Sequence, residues 1–193
     1  VTGTLLSPYA VSKMVDELYA KVFGSGYGQE LVGLRYFNVF GPRQNPDSHY
    51  AAVIPKFITS FLNGHSPKVF GDGKPSRDFT FVQDTADGIL RCIDNKKAIG
   101  EIINIGSGTE ISILNLAKKI LKISKKKIPI KYDESRERPY DVNRLICDNK
   151  KANKLLKWKP KVSMLDGLTR SYEWAKKNKV VFNAPFSRWY YKK

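Results

Sequence analysis

Ser7 to Lys13 reads SPYAVSK, and Leu34 to Asn45 reads LRYFNVFGPRQN. Ser7 is a favoured helix cap, and Pro8 stands in the first turn, where proline is best tolerated. Val11, Met14, Val15, Leu18 and Val22 then recur at helical spacing, and the run GSGYG (24–28) predicts the stop. Leu31 to Phe37 (LVGLRYF) predicts a buried strand that ends in the GPRQNP turn. Helix, glycine stop and strand therefore follow one another within 45 residues.

The alternation continues outward. Ile54, Phe57, Ile58, Phe61 and Leu62 mark a second amphipathic helix ended by Asn63-Gly64. Asp78 to Val82 (DFTFV) predicts a strand, and Asp84 is the expected cap of a helix along Ala86, Ile89, Leu90 and Ile93. Ile102 to Ile105 predicts a short strand closed by Gly106-Ser107-Gly108. Ser112 opens a helix through Leu116, Ile120 and Leu121, and Pro129 to Tyr132 predicts another strand. Asp148 and Ser163 are the expected caps of two last helices, the final one turning Leu165, Leu168 and Tyr172 inward. Strands alternating with helices predict an α/β fold.

Bulk composition narrows the function classes. The 193 residues are 41% hydrophobic and include no apolar run near the roughly 18 residues of a membrane span. Two histidines and two cysteines without C-x-x-C spacing argue against zinc, and Cys92 and Cys147 are expected to be a buried, reduced pair. The net charge of +16 invites a nucleic-acid reading. Its lysines fall in short runs (96–97, 118–119, 125–127, 176–177), which suit solvated helix faces and helix C-terminal ends. No zinc-finger spacing or Arg-aromatic repeat accompanies them. Gly24, Gly26 and Gly28 follow a helix rather than a strand, so they fail the context test for a dinucleotide loop.

Chemistry enters with Tyr9 and Lys13. Residues four apart share a helix face. An ordinary phenol ionises near pH 10 and is a poor base, and a neighbouring ammonium favours its ionised form. A phenol and an ammonium so placed form a general acid/base for a hydroxyl proton. The spacing alone equally describes a surface tyrosine beside a surface lysine.

Read in order, SPYAVSK, LRYFNVFGPRQNP, YAAVIPKFI, GDGKPSRDFTFVQDTADGI, NIGSG, RERPYDV and LLKWKPKVSMLDGL resemble the nucleotide-sugar epimerases and dehydratases. These are extended short-chain dehydrogenase/reductases, and the motifs are most similar to the UDP-sugar 4-epimerase branch, which acts on UDP-glucose or UDP-N-acetylglucosamine. The resemblance covers about Leu6 to Trp174 and corresponds to the C-terminal part of such an enzyme. It implies the last part of a doubly wound, Rossmann-type parallel sheet (1–45 and about 78–106) and a small α/β cap that binds the nucleotide sugar (46–77 and about 107–193). It also implies NAD as cofactor and a 4-keto sugar as intermediate.

Roles carry over onto matching residues. Tyr9 resembles the catalytic base for the sugar 4-hydroxyl, and Lys13 the lysine that holds the nicotinamide ribose. Tyr36 and Phe37 resemble residues at the nicotinamide end, with a strand-core role as the alternative for Phe37. Asn38, Arg77 and Arg138 match ligands of the substrate diphosphate, where a guanidinium fork suits two oxygens. Asp141 matches an acceptor for the ribose hydroxyls. Ala52, Val53 and Phe57 resemble the segment over the uracil ring, with plain helix core as the alternative, and Phe70 lines the same pocket. Leu145 aligns with the family's gate for N-acetyl groups. Tyr140 replaces a glycine usual in its loop. The glycine-rich NAD loop and the Ser/Thr partner of the 4-hydroxyl are expected upstream of Val1.

The resemblance further implies a cytoplasmic homodimer paired through the Tyr9–Lys13 helix, with no nucleic-acid or membrane partner. A 4,6-dehydratase or decarboxylase of the same family, a non-catalytic nucleotide-sugar-binding fragment and a basic nucleic-acid binder remain the alternatives.

Overall fold

The computed structural model of the protein describes residues 7–46, 53–133 and 142–178. Ser7 caps α1 (Pro8–Tyr27), its hydroxyl accepting from the Ala10 amide at 3.2 Å. The helix runs through Gly24 and Gly26 and stops only at Gly28, where φ is 67°. The GSGYG run thus terminates α1 through its last glycine, the one that takes the left-handed backbone of a helix end.

In chain order there follow β1 (Gly33–Tyr36), β2 (Val39–Phe40), α2 (Val53–Leu62), β3 (Lys68–Phe70), β4 (Ser76–Arg77) and β5 (Thr80–Phe81). Next come α3 (Val82–Leu90), β6 (Ile102–Ile105), β7 (Ile111–Ser112) and α4 (Ile113–Ser124). The described chain closes with β8 (Lys131–Asp133), β9 (Arg144–Leu145), α5 (Lys150–Leu156) and α6 (Met164–Lys177). Ser112 and Ser163 cap α4 and α6 through the Asn115 and Asp166 amides, each at 3.2 Å.

Pairing is mostly parallel. β1 lies beside β6 with Gly33 opposite Ile102 and Tyr36 opposite Ile105. β2 pairs with β5 and β3 with β8, both parallel. A three-stranded sheet has β4 in its centre, antiparallel to β7 and parallel to β9. Parallel strands need long crossovers, which α2, α3 and α4 help supply.

Two apolar cores result. The larger gathers Phe40, Phe57, Phe61, Phe81, Leu116 and Leu168 with their neighbours, joining α2, α4 and α6 to β2, β3 and β5. The second packs Ile103 and Ile105 of β6 against Ala152, Leu156 and Trp158. Each large side chain so buried stabilises by about 1.5–3 kcal/mol.

Several expectations are corrected. The DFTFV stretch is not one strand: β5 keeps only Thr80 and Phe81, and helix begins at Val82. Asp84 does not cap α3, whose N-cap is Phe81. Its carboxylate instead accepts the amides of Lys161 and Val162, each at 3.0 Å, and its carbonyl accepts Trp158 Nε1 at 2.9 Å. Asp84 thereby fixes the chain that enters α6. Asn149, not Asp148, occupies the N-cap of α5. Leu165 faces outward while Leu168 and Tyr172 are buried. Cys147 is buried and Cys92 only half-buried, and both are free thiols.

Candidate active site

Tyr9 and Lys13 occupy the expected common face of α1. Lys13 Nζ stands 5.8 Å from the centre of the Tyr9 ring. The ammonium also meets Asp16 Oδ2 at 2.9 Å. That hydrogen bond, with the Asp16 charge, raises the Lys13 pKa above its ordinary value, so the group is a cation throughout the neutral range. Asp16, three residues after Lys13, was not singled out in the sequence; i,i+3 spacing was the available signal. Tyr9 is 68% exposed, which leaves its hydroxyl open to a ligand.

A bidentate pair joins α1 to the sheet. Arg35 Nε and Nη2 donate to Glu17 Oε1 and Oε2 at 2.6 and 2.7 Å. The Arg35 guanidinium holds the Glu17 carboxyl below its usual range. The adjoining residues Tyr36, Phe37 and Asn38 leave the C-terminal end of β1, and the Phe37 amide donates to Ile105 O at 3.1 Å. Desolvation pushes the Tyr36 phenol up, and the Cys92 charge adds to it. The C-terminal ends of β1 and β6 thus lie together, which is where open α/β sheets place ligands.

Asn38 and Arg77 meet at the next junction. Asn38 takes a positive φ of 27°; its side-chain Nδ2 donates to Asp78 O at 2.7 Å, and its backbone carbonyl accepts the Thr80 amide at 3.3 Å. Arg77 lies on β4 opposite Leu145 on one side and Ile111 on the other, and its Nη1 donates to Ser76 O at 2.8 Å. Glu110 braces the same sheet: it accepts Arg144 Nε at 2.9 Å and the Ser76 hydroxyl at 2.6 Å, and both lower its pKa.

Asp78, next to Arg77, is fully buried. Its Oδ1 accepts the Ser107 amide at 2.9 Å and the Ser107 hydroxyl at 2.6 Å. Its Oδ2 accepts the Gly108 amide at 2.8 Å and the Cys147 amide at 3.1 Å. Sequence reading placed Asp78 only at a strand start, because its partners lie 29, 30 and 69 residues away. A Cβ on Gly106 would stand 2.3 Å from Cys147 Cβ and 3.1 Å from Phe37 Cβ, so the loop after β6 is glycine where three segments converge. Burial, then the charges of Asp78 and Asp148, push the Cys147 thiol up to about 12 and leave it an unreactive thiol at neutral pH.

The other sequence-predicted residues are scattered. Phe57 is 3% exposed and sits in the larger core. Val53 starts α2 half-buried, and Phe70 ends β3 partly exposed. Ala52, Arg138 and Asp141 lie outside the described residues. Two clefts of about 340 and 460 Å³ are lined by residues such as Lys126 and Lys176, and Glu110 and Lys122, and by none of the candidate site residues. Among the described residues no cluster of three metal-binding side chains occurs, and no helix is long and apolar enough to cross a membrane.

Residues 5–171 match the family model described as GDP-mannose 4,6 dehydratase. The chain is 41% identical over 177 residues to a putative UDP-glucose 4-epimerase of Methanocaldococcus jannaschii, covering 90% of this chain and 54% of that protein. It is 32% identical to a dTDP-D-glucose 4,6-dehydratase of Mus musculus over 89% of this chain and 48% of that one. Among solved structures, epimerase Mth375 of Methanothermobacter thermautotrophicus matches with a TM-score of 0.87 and 36% identity, over 93% of this chain and 53% of that one. UDP-glucuronic acid 4-epimerase of Bacillus cereus, in complex with UDP-glucuronic acid and NAD, matches with a TM-score of 0.83 and 35% identity, over 92% and 55%. The chain spans about half the length of the curated relatives it matches. Its α/β fold is of the Rossmann type seen in such epimerases.

Proposed function

We infer the function from one premise: the chain belongs to the nucleotide-sugar epimerase and dehydratase family of extended short-chain dehydrogenase/reductases. The reading best supported is part of an NAD-dependent UDP-sugar 4-epimerase. One observation carries it: an exposed phenol and an ammonium share a face of α1, and α1 is tied to the strand that delivers Tyr36, Phe37 and Asn38.

In this reading β1 and β6, within 1–45 and about 78–106, belong to the cofactor-binding sheet, and α2, α4 and α6 with β4, β7 and β9 belong to a substrate cap. The donor set fits NAD, since an exposed phenol and a cationic amine suit ribose hydroxyls. Lys13 and Tyr9 would hold the nicotinamide ribose, with Tyr36 and Phe37 at that end. Bound there, NAD supplies a reversible hydride acceptor. Tyr9 takes the proton from the sugar 4-hydroxyl and later returns it, while the Lys13 charge favours the phenolate.

Asn38 and Arg77, with Arg138, anchor the diphosphate, and Asp141 the ribose. Ala52, Val53 and Phe70 belong to the uracil side, while Phe57, buried in the larger core, takes the helix-core role. Gripping the unreacting diphosphate concentrates binding energy away from the sugar and leaves it free to turn over. Leu145, opposite Arg77, sets the room for an N-acetyl group, so both hexoses and N-acetylhexosamines are candidate substrates. Val11, Leu18, Tyr19 and Val22 expose apolar surface along α1, which supports pairing of two copies through this helix in the cytoplasm.

The match to a dTDP-D-glucose 4,6-dehydratase keeps a second reaction in view. Incubating the full-length protein with UDP-glucose, UDP-N-acetylglucosamine and UDP-glucuronate separates the two. Conversion of at least one to its 4-epimer is expected, and a 4-keto-6-deoxy product would transfer the protein to the dehydratases. Absence of both products, with no calorimetric heat of UDP-sugar binding, would remove the enzyme reading altogether. Light scattering on the same samples tests the pairing, and a monomer mass would refute it.

A further inference from the structure

Asp78 takes no part in the chemistry above, yet it is the most heavily engaged carboxylate among the described residues. All four of its partners donate, two to each oxygen, so it acts only as an acceptor. Those partners come from two separate segments. Ser107 and Gly108 form the loop leaving β6, and Cys147 follows β9. The Asp78 backbone joins in: its amide donates to Leu145 O at 2.9 Å, and its carbonyl accepts the Asn38 side-chain Nδ2 at 2.7 Å. One residue therefore holds the end of β1, the exit of β6 and the β4–β9 pair in fixed relation. Arg77, Asn38 and Leu145 are its neighbours in sequence or hydrogen bonding.

Side chains alternate along an extended strand, so Arg77 points away from the side on which Asp78 is buried. The carboxylate, with both oxygens occupied by protein donors, is not offered to a ligand. It fixes the backbone from which the guanidinium projects.

We propose that Asp78 is a positioning residue that sets the Arg77 diphosphate ligand and the Leu145 strand against the ends of β1 and β6, so that an anchored nucleotide presents its sugar to Tyr9. This rests on the reading of Arg77 as a diphosphate ligand. Loosening the clamp displaces the anchor relative to the reacting pair without removing any group that touches substrate.

The test uses the full-length protein and calorimetric titration with UDP. Asp78→Asn turns a donor toward two other donors and is expected to weaken UDP binding about tenfold, from the loss of charge-assisted hydrogen bonds. Ser107→Ala leaves the Asp78 charge and its three backbone donors in place, removes the hydroxyl that donates to Asp78 Oδ1 and accepts the Thr109 amide, and is expected to weaken UDP binding about threefold with bound NAD unchanged. Should Asp78→Asn not fold, Ser107→Ala carries the test by itself. In the double variant Asp78→Asn with Arg77→Ala, binding no weaker than in Arg77→Ala alone is expected, because Asp78 acts through Arg77. Full UDP affinity in a folded Asp78→Asn or Ser107→Ala protein overturns the proposal, as do additive losses in the double variant. Full affinity in Arg77→Ala instead strikes the diphosphate assignment itself.

Discussion

Tyr9→Phe in the full-length protein is expected to cut turnover by about 10²–10⁴-fold, the usual contribution of a positioned acid/base. The substitution removes one oxygen and keeps the ring. Because the side chain is exposed, little packing is lost with it. Lys13 keeps its partner Asp16, so the local charge is preserved. UDP-sugar affinity should remain within about twofold, since an effect confined to turnover marks a group used only in the reaction. Steady-state turnover and calorimetry on the same variant check both halves. Near-normal turnover would end the assignment of Tyr9 as the base.

The second large effect concerns stability. Trp158 is 1% exposed, packs with Ile103, Ile105 and Leu156, and donates its ring N–H to Asp84 O at 2.9 Å. Trp158→Ala leaves a cavity in the smaller core and is expected to cost about 3–5 kcal/mol. For a chain of this size that lowers the melting temperature by roughly 6–20 °C. The loss spreads, because Asp84 also accepts the amides ahead of α6. Thermal denaturation measures it, and a shift of less than about 2 °C would show that the second core is dispensable.

Local chemistry was the legible part of the sequence. Ser7, Ser112 and Ser163 declared helix starts because a cap acts within three residues, and Tyr9 with Lys13 declared a shared face because helices repeat. The roles of Asp78 and Asp84 are illegible for the opposite reason. Asp84, near a helix start, looks like a cap and Asp78 merely opens a strand, whereas the two accept from amides as far as 69 and 78 residues along the chain. Leu165 fitted an apolar helical stripe, yet tertiary packing turned the stripe so that Leu168 and Tyr172 took the core. Gly24 and Gly26 announced a break too early, because glycine permits a left-handed turn without requiring one. The grouping of Asn38, Arg77 and Leu145 at one junction was beyond sequence, since it depends on strand order.

No residue described in α1 is buried, although the helix is 20 residues long. Its grip on the sheet includes the half-exposed Glu17–Arg35 pair, a kind of contact that salt weakens. The proposed proton-transfer pair therefore stands on a helix that these residues leave uncovered, and its steadiness is conferred by whatever surface comes to lie against it.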